Sequence, residues 1–326
     1  MTARAEGALI GLALGDALGM PTQMLTRQRV RELYGRLDRF HRGPEENPIS
    51  PGQTAGTVTD DTEQAVILAR LLIEGDGVVD LHAFATALSD WHHEMEAKGS
   101  LDLLGPSTLR AIQAFRDGVP AEETGRWGDT NGAAMRVAPL GIAHRLFPLA
   151  AFVDRLEAVN LLTHNTHIAN AGAAAIGAAV SAGIEGADVH DALRIAVEAA
   201  EEGARRGHST PGPSVARRIR WAVSIASGPD PLDEIDALVG TSVATQEAVP
   251  AALAIVAAYP HDPWGGVLAA ASLGGDSDTV AAMAGAVLGA IHGVDAFPPD
   301  EVAYLETANP TLDLRGLAAR LLELRR

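Results

Sequence analysis

Gly7-Ala-Leu-Ile-Gly11-Leu-Ala-Leu-Gly15-Asp16-Ala-Leu-Gly19 places a glycine at every fourth position. In a helix that spacing lines the glycines up along one face. A face without side chains lets another helix come unusually close. Two acidic residues, Glu6 and Asp16, interrupt this otherwise apolar run. Apolar residues at three- and four-residue spacing recur outward from it. They predict helices over 4–18, 61–75, 80–96, 105–116, 130–144, 149–162, 166–184, 188–206, 213–227, 244–258, 263–273, 278–291 and 312–324. No segment alternates as a half-buried strand would. The expectation is an all-α fold in one domain spanning 1–326.

Composition agrees with helices. Only 4% of the 326 residues are aromatic, while glycine alone accounts for 34. A β-sandwich draws on aromatic and β-branched residues instead. The net charge is −17, from 25 Lys+Arg against 42 Asp+Glu. Such a surface argues against nucleic acid and against an anionic membrane as partners. There is no cysteine, which excludes disulfides, thiolate metal sites and a thiol nucleophile. The one lysine, Lys98, sits in no phosphate-binding loop. The start, Met1-Thr-Ala-Arg-Ala-Glu6, does not read as a secretory signal, and the Ala/Gly-rich run 168–184 reads as a buried helix. A cytoplasmic protein is expected. The oligomeric state is not legible.

Irregular structure is expected at 43–57, at 207–213 and at 227–231, where Gly, Pro, Asn and Ser gather. A loop as long as the first is commonly functional. It runs into Thr59-Asp60-Asp61-Thr62, which opens a helix. One such side chain suffices to cap a helix. Two adjacent carboxylates flanked by hydroxyls also suit a hard divalent cation, which takes oxygen ligands. A second cluster, Gly274-Gly275-Asp276-Ser277-Asp278-Thr279, opens another helix. It is not an EF-hand loop: counted from Asp276, position six is Ala281 and position twelve is Val287. The two clusters suggest a binuclear magnesium or manganese centre at the end of a helix bundle, provided the fold brings Asp61 and Asp276 together across 215 residues.

Two further polar groups stand at predicted helix starts. In Trp127-Gly-Asp129-Thr130-Asn131-Gly132-Ala-Ala-Met-Arg136, the Asn131-Gly132 pair can turn an amide and backbone N–H groups to a ligand. Thr163-His164-Asn165-Thr166-His167 suits ribose or phosphate hydroxyls. His92-His93-Glu94 reads as a solvated helix face, because adjacent histidines point to different sides. Tyr259 and Trp264 are core or pocket wall, and Arg217-Arg218-Ile-Arg220 is a basic patch expected at the surface or at an oligomer contact.

In this order and spacing, the motifs at Gly11–Pro21, Thr59–Thr62, Asn131–Arg136, Thr163-His164 with Ala171-Gly172-Ala, and Gly274–Thr279 resemble the ADP-ribosylglycohydrolase family, which includes dinitrogenase reductase-activating glycohydrolase. The resemblance covers about 5–295. It implies an orthogonal multi-helix bundle with two divalent metals, Mg2+ or Mn2+, in a cleft. It also implies hydrolysis of the glycosidic bond at the anomeric carbon of ADP-ribose compounds or related ribosides. By motif, Thr59, Asp60, Asp61, Asp276, Asp278 and Thr279 resemble the metal ligands. Asp61 and Asp102, the latter in Leu101-Asp102-Leu-Leu-Gly105-Pro-Ser107, carry the catalytic expectation. Gln23, Gly105, Ser107, Asn131, Gly132, His164, Gly274 and Ser277 are the expected substrate contacts.

One departure stands out. Many family members have a Glu shortly after Gly-x-Pro, whereas Gln23 follows Met20-Pro21-Thr22 here. Gln keeps the size and an acceptor but cannot act as a base. Either Asp102 or a metal-bound hydroxide is then expected as the base, or the substrate differs. The whole pattern resembles a bacterial branch of the family, which implies small nucleosides or free ADP-ribosyl compounds as substrates rather than modified proteins. A nucleosidase acting on free nucleosides is the alternative enzyme, and an inactive ADP-ribose-binding or structural protein is the non-enzymatic one.

Overall fold

The computed structural model describes residues 1–101 and 104–325. Among them there is no β-strand. Two isolated backbone bridges, Thr130 with Ala244 and Thr166 with His208, are the only pairings of that type. The chain is a bundle of helices, as the apolar spacing predicts.

Its axis is an antiparallel pair, Thr2–Gly19 against Ser277–His292. The glycine stripe makes this contact. A Cβ added at Gly11 would stand 2.2 Å from the carbonyl oxygen of Gly285, and one at Gly15 would stand 2.0 Å from that of Ala281. The partner reciprocates, since a Cβ at Gly289 would meet the Gly7 carbonyl oxygen at 1.9 Å. Backbone thus lies on backbone along three turns, and both helices are buried almost throughout. At the end of the seam, Gly19 rests on the backbone of Asp278. The packing that fixes the axis therefore also fixes one of the acidic motifs.

His167–Glu185 packs on this pair, with Gly183 against the backbone of Ala290. It is long and apolar enough to cross a membrane, but 94% of that stretch is buried inside the protein. The bundle is completed by Asp60–Glu74, Val189–Gly203, Val215–Ile225, Thr245–Ala258 and Leu314–Glu323. Side-chain oxygens cap many of these helices. Thr59, Thr166, Asp188, Ser214 and Asp313 each accept a backbone N–H from the first turn. Such a cap is worth about 1 kcal/mol.

Three expectations change. The helix expected over 130–144 is two short ones, Gly132–Met135 and Ala138–Ala143. Pro139 lacks the N–H that a continuous helix would donate to Met135, so the chain breaks there. Arg27–Tyr34 and Pro299–Ala308 are helices that periodicity does not reveal. Each buries only two side chains, too narrow a stripe to stand out in sequence. His92 is buried under its helix rather than solvated, while His93 remains exposed as expected.

The loop at 43–57 is irregular as expected, but firmly seated. Asn47 Nδ2 donates to the carbonyls of Pro21 and Gln23, and Ser50 Oγ donates to that of Met20. The loop therefore braces the turn that follows the N-terminal helix.

Candidate active site

The two acidic motifs meet. Thr279 Oγ1 donates a 3.1 Å hydrogen bond to Asp61 Oδ2, joining the first turns of Ser277–His292 and Asp60–Glu74. Thr59 Oγ1 lies 3.3 Å from Asp61 Oδ2, but its one proton goes to the nearer Asp16 Oδ1. Asp60, Asp61, Asp276 and Asp278 line one cavity of about 260 Å³, together with Thr279, Gln23, Thr130, Asn131 and Gly132. Ile49, Leu104, Met135 and Val243 give it an apolar wall. A second cavity, of about 660 Å³, shares Met24, Val243 and Asp276 with the first.

Each motif is held from behind. Asp16, fully buried in the N-terminal helix, receives four hydrogen bonds from the start of Asp60–Glu74. Thr59 N binds it at 3.0 Å, Thr59 Oγ1 at 2.7 Å and Thr62 N at 3.1 Å, and Thr62 Oγ1 is the fourth donor. Burial raises its pKa and these donors pull part of that rise back, leaving it at about 6. Asp16 is the residue that sequence reading passes over. Its signal is a lone carboxylate in an apolar helix, which needs a partner once buried.

The second motif is held by its glycines. Gly274 and Gly275 have φ of +75° and +65°, conformations that side chains rarely adopt. In this shape Gly275 N reaches the Leu25 carbonyl at 2.8 Å, and Asp276 N reaches that of Thr241 at 2.6 Å. Asn131 Nδ2 then donates to Asp276 Oδ2 at 2.5 Å.

Electrostatically the cavity is overloaded. Burial pushes the Asp61 pKa well up, and the charges of Asp278, Asp60, Asp16 and Asp276 push it further. Asp276 is raised by burial too. Asp61 Oδ1 is buried and has no hydrogen-bond partner. Gln23 is also buried, with Nε2 unpartnered. Among the described residues, no three His, Cys, Asp or Glu side chains stand in a ready-made ligand arrangement. Donor type and charge nevertheless fit a hard divalent cation. The donors are all oxygen, one of them is orphaned, and a cation would relieve the repulsion that raises Asp61.

Not every expected residue faces the cavity. Gln23, Asp60, Asp61, Gly105, Asn131, Gly132, Asp276, Asp278 and Thr279 do. Thr59 lies behind it as cap and as donor to Asp16. Ser277 is buried and hydrogen-bonds to Thr22 at 2.9 Å. Gly274 packs on the backbone of Leu25 to Arg27. Ser107 is buried in the first turn of Pro106–Arg116, where the next residue, Thr108, reaches the cavity instead. His164 is fully buried behind Gly132 and Thr130. Asp102 lies outside the described residues. Tyr259 and Trp264 pack on the core, away from this cavity. Arg218 binds the carbonyls of Gln246 and Val239, so the basic patch is partly structural.

Behind Asp60 lies a polar chain that the sequence does not announce. Gln64 Nε2 donates to Asp60 Oδ2 at 2.6 Å, and Arg136 Nη1 donates to Gln64 Oε1 at 2.7 Å. Arg136 is fully buried, with its guanidinium 5.0 Å from the Phe84 ring centroid. Burial lowers its pKa to about 10, so it remains a cation at neutral pH.

Comparison with known proteins agrees with the geometry. The model of the family described as ADP-ribosylglycohydrolase matches residues 1–326. The chain is 36% identical to the uncharacterized protein YegU of Escherichia coli (strain K12), over 99% of this chain and 98% of that one. It is 29% identical to the ADP-ribosylarginine hydrolase Tri1 of Pseudomonas putida (strain GB-1), over 92% of this chain and 73% of that one. A solved structure titled an ADP-ribosylglycohydrolase-related protein complex superposes with a TM-score of 0.70 at 25% identity, covering 100% of this chain and 99% of that one. With its fold, its paired acidic helix ends and a family match over the whole chain, this protein belongs to the ADP-ribosylglycohydrolase family of glycosidases.

Proposed function

We propose that the chain hydrolyses the glycosidic bond at the anomeric carbon of an ADP-ribosyl compound, with the ribosyl group in the carboxylate-lined cavity. The observation that carries this reading is the Thr279–Asp61 hydrogen bond, which joins two acidic helix ends into one site. Asp60, Asp61, Asp276 and Asp278, with Thr279, would hold a pair of divalent cations, Mg2+ or Mn2+, while Thr59 stays behind the cavity on Asp16. Bound there, the cations supply charge neutralisation, polarise ribose hydroxyls and lower the pKa of water.

The remaining work falls to the chain. Thr279 holds Asp61 by Oδ2, leaving Oδ1 to orient the attacking water and take its proton. That water forms the new bond to the anomeric carbon as the bond to the leaving group breaks, through an oxocarbenium-like transition state. Asn131 fixes Asp276. Gln23 offers an N–H rather than a base. The apolar wall excludes bulk water. The adjoining cavity gives room for the rest of the substrate.

The name of the Pseudomonas putida relative makes ADP-ribosyl-arginine the first compound to try. The protein is incubated with Mg2+ or Mn2+ and with ADP-ribosyl-arginine, ADP-ribosyl-serine, poly-ADP-ribose or free nucleosides. Products are read by mass spectrometry, with EDTA and Asp278→Ala as controls. EDTA-sensitive release of ADP-ribose is expected. Release from nucleosides alone would replace this reading with a nucleosidase.

A further inference from the structure

We propose that a buried chain, Arg136–Thr163–His164–Thr130, fixes the direction of the Thr130 hydroxyl and makes it a hydrogen-bond donor into the cavity, aimed at a phosphate or ribosyl oxygen. The inference rests on the ADP-ribosyl reading for its ligand, but not for its geometry. His164 is then a positioning residue acting through Thr130, and not a direct substrate contact.

Arginine only donates. Arg136 Nη2 donates to Thr163 Oγ1, which lies 2.8 Å from His164 Nδ1. Thr163 is fully buried. Among the described residues its hydroxyl proton has no acceptor other than that ring nitrogen. Were Nδ1 protonated, the Thr163 O–H would be stranded in the protein interior, without a partner for its proton. Thr163 therefore donates to Nδ1. The proton of the ring sits on Nε2, which donates to Thr130 Oγ1 at 3.0 Å. Burial, with the positive charges of Arg136 and Arg110 nearby, keeps the ring neutral, so it carries a single proton.

Thr130 Oγ1 thus spends an acceptor site on His164 and keeps its own proton. Thr130 lines the cavity, so that proton is available to a ligand there. Gly132 makes the arrangement possible. A Cβ at this position would stand 2.8 Å from His164 Cε1 and 2.9 Å from Nε2. The other arm of Arg136 runs through Gln64 to Asp60, so changing Arg136 would disturb both arms. Thr163 and Thr130 are the cleaner positions to test.

The test uses full-length protein labelled with 15N-histidine, with His164→Gln identifying the His164 resonances. Long-range 1H–15N spectra read which ring nitrogen carries the proton. The expected result is a protonated Nε2 and a bare, hydrogen-bonded Nδ1. In Thr163→Val, the Nδ1 resonance should move towards that of a ring nitrogen without a hydrogen bond. Calorimetry with ADP-ribose and Mg2+ supplies a second readout. Thr130→Val should weaken binding about tenfold, and Thr130→Ser should restore it. A proton on Nδ1 in the wild type overturns the proposal, as does wild-type affinity in Thr130→Val. Should the wild type show the Nε2 proton yet bind no ADP-ribose, the relay stands and the ADP-ribosyl reading falls.

Discussion

The helices Thr2–Gly19 and Ser277–His292 are packed by opposite rules along their length. In the middle, Gly7, Gly11 and Gly15 lie on Gly289, Gly285 and Ala281 with no room for one more carbon. At the end, Asp16 and Asp278 approach Asp61 closely enough for both charges to raise its pKa. The seam is all contact and no charge, whereas the site is charge held apart by borrowed hydrogen bonds. The first makes the second possible. Carboxylates that repel stay together only if the elements bearing them cannot separate.

The sharpest break of that contrast is Gly11→Val. Its side chain meets backbone on the facing helix, which cannot step aside. Loss of more than about 4 kcal/mol is expected, read as loss of a cooperative melt by circular dichroism. Asp278→Ala is the mirror image. Turnover should fall by about 1,000-fold or more. The melting temperature measured in EDTA should hold or rise, because a charge that repels Asp61 is gone.

Asp16→Asn joins the two regions. The amide keeps the volume but turns an NH2 towards donors that had a carboxylate, at a cost of about 2–4 kcal/mol by chemical denaturation. The mildest test varies pH. Asp16, Asp61 and Asp276 all have raised pKa values, so the folded state binds more protons than the unfolded one. Their contribution to stability is therefore present below the ordinary carboxylate value of 3.8. It is lost as pH rises through about 6 for Asp16 and further up for Asp61. The gap in melting temperature between Mn2+-loaded and EDTA-treated protein should accordingly widen from pH 5 to pH 8. A gap that narrows would contradict the electrostatic account.

Much of this was legible in the sequence, for identifiable reasons. Long apolar runs announce their helices, and a glycine every fourth residue announces a close seam. Paired carboxylates at helix starts announce acidic clusters, and the fold brings the two clusters to one cavity. What escaped depends on tertiary partners. Nothing local tells Asp16 that it will hold Thr59 and Thr62, or Gln64 that it will stand between Asp60 and Arg136. Residues inside a motif are also not equivalent. Ser277 turns to Thr22 while Asp276 and Asp278 on either side face the cavity, because a helix start alternates its faces within three residues. His164 sits one layer further back, behind a glycine whose importance is visible only once the imidazole is placed.

The central claim is that Asp60 and Asp278, far apart in sequence, serve one divalent-cation site. Titrating Mn2+ calorimetrically into the wild type, Asp60→Ala and Asp278→Ala tests it most directly. The account predicts that the wild type binds and that either single change removes that binding, although each touches a different motif. A wild-type isotherm in either variant, with both folded, would contradict it.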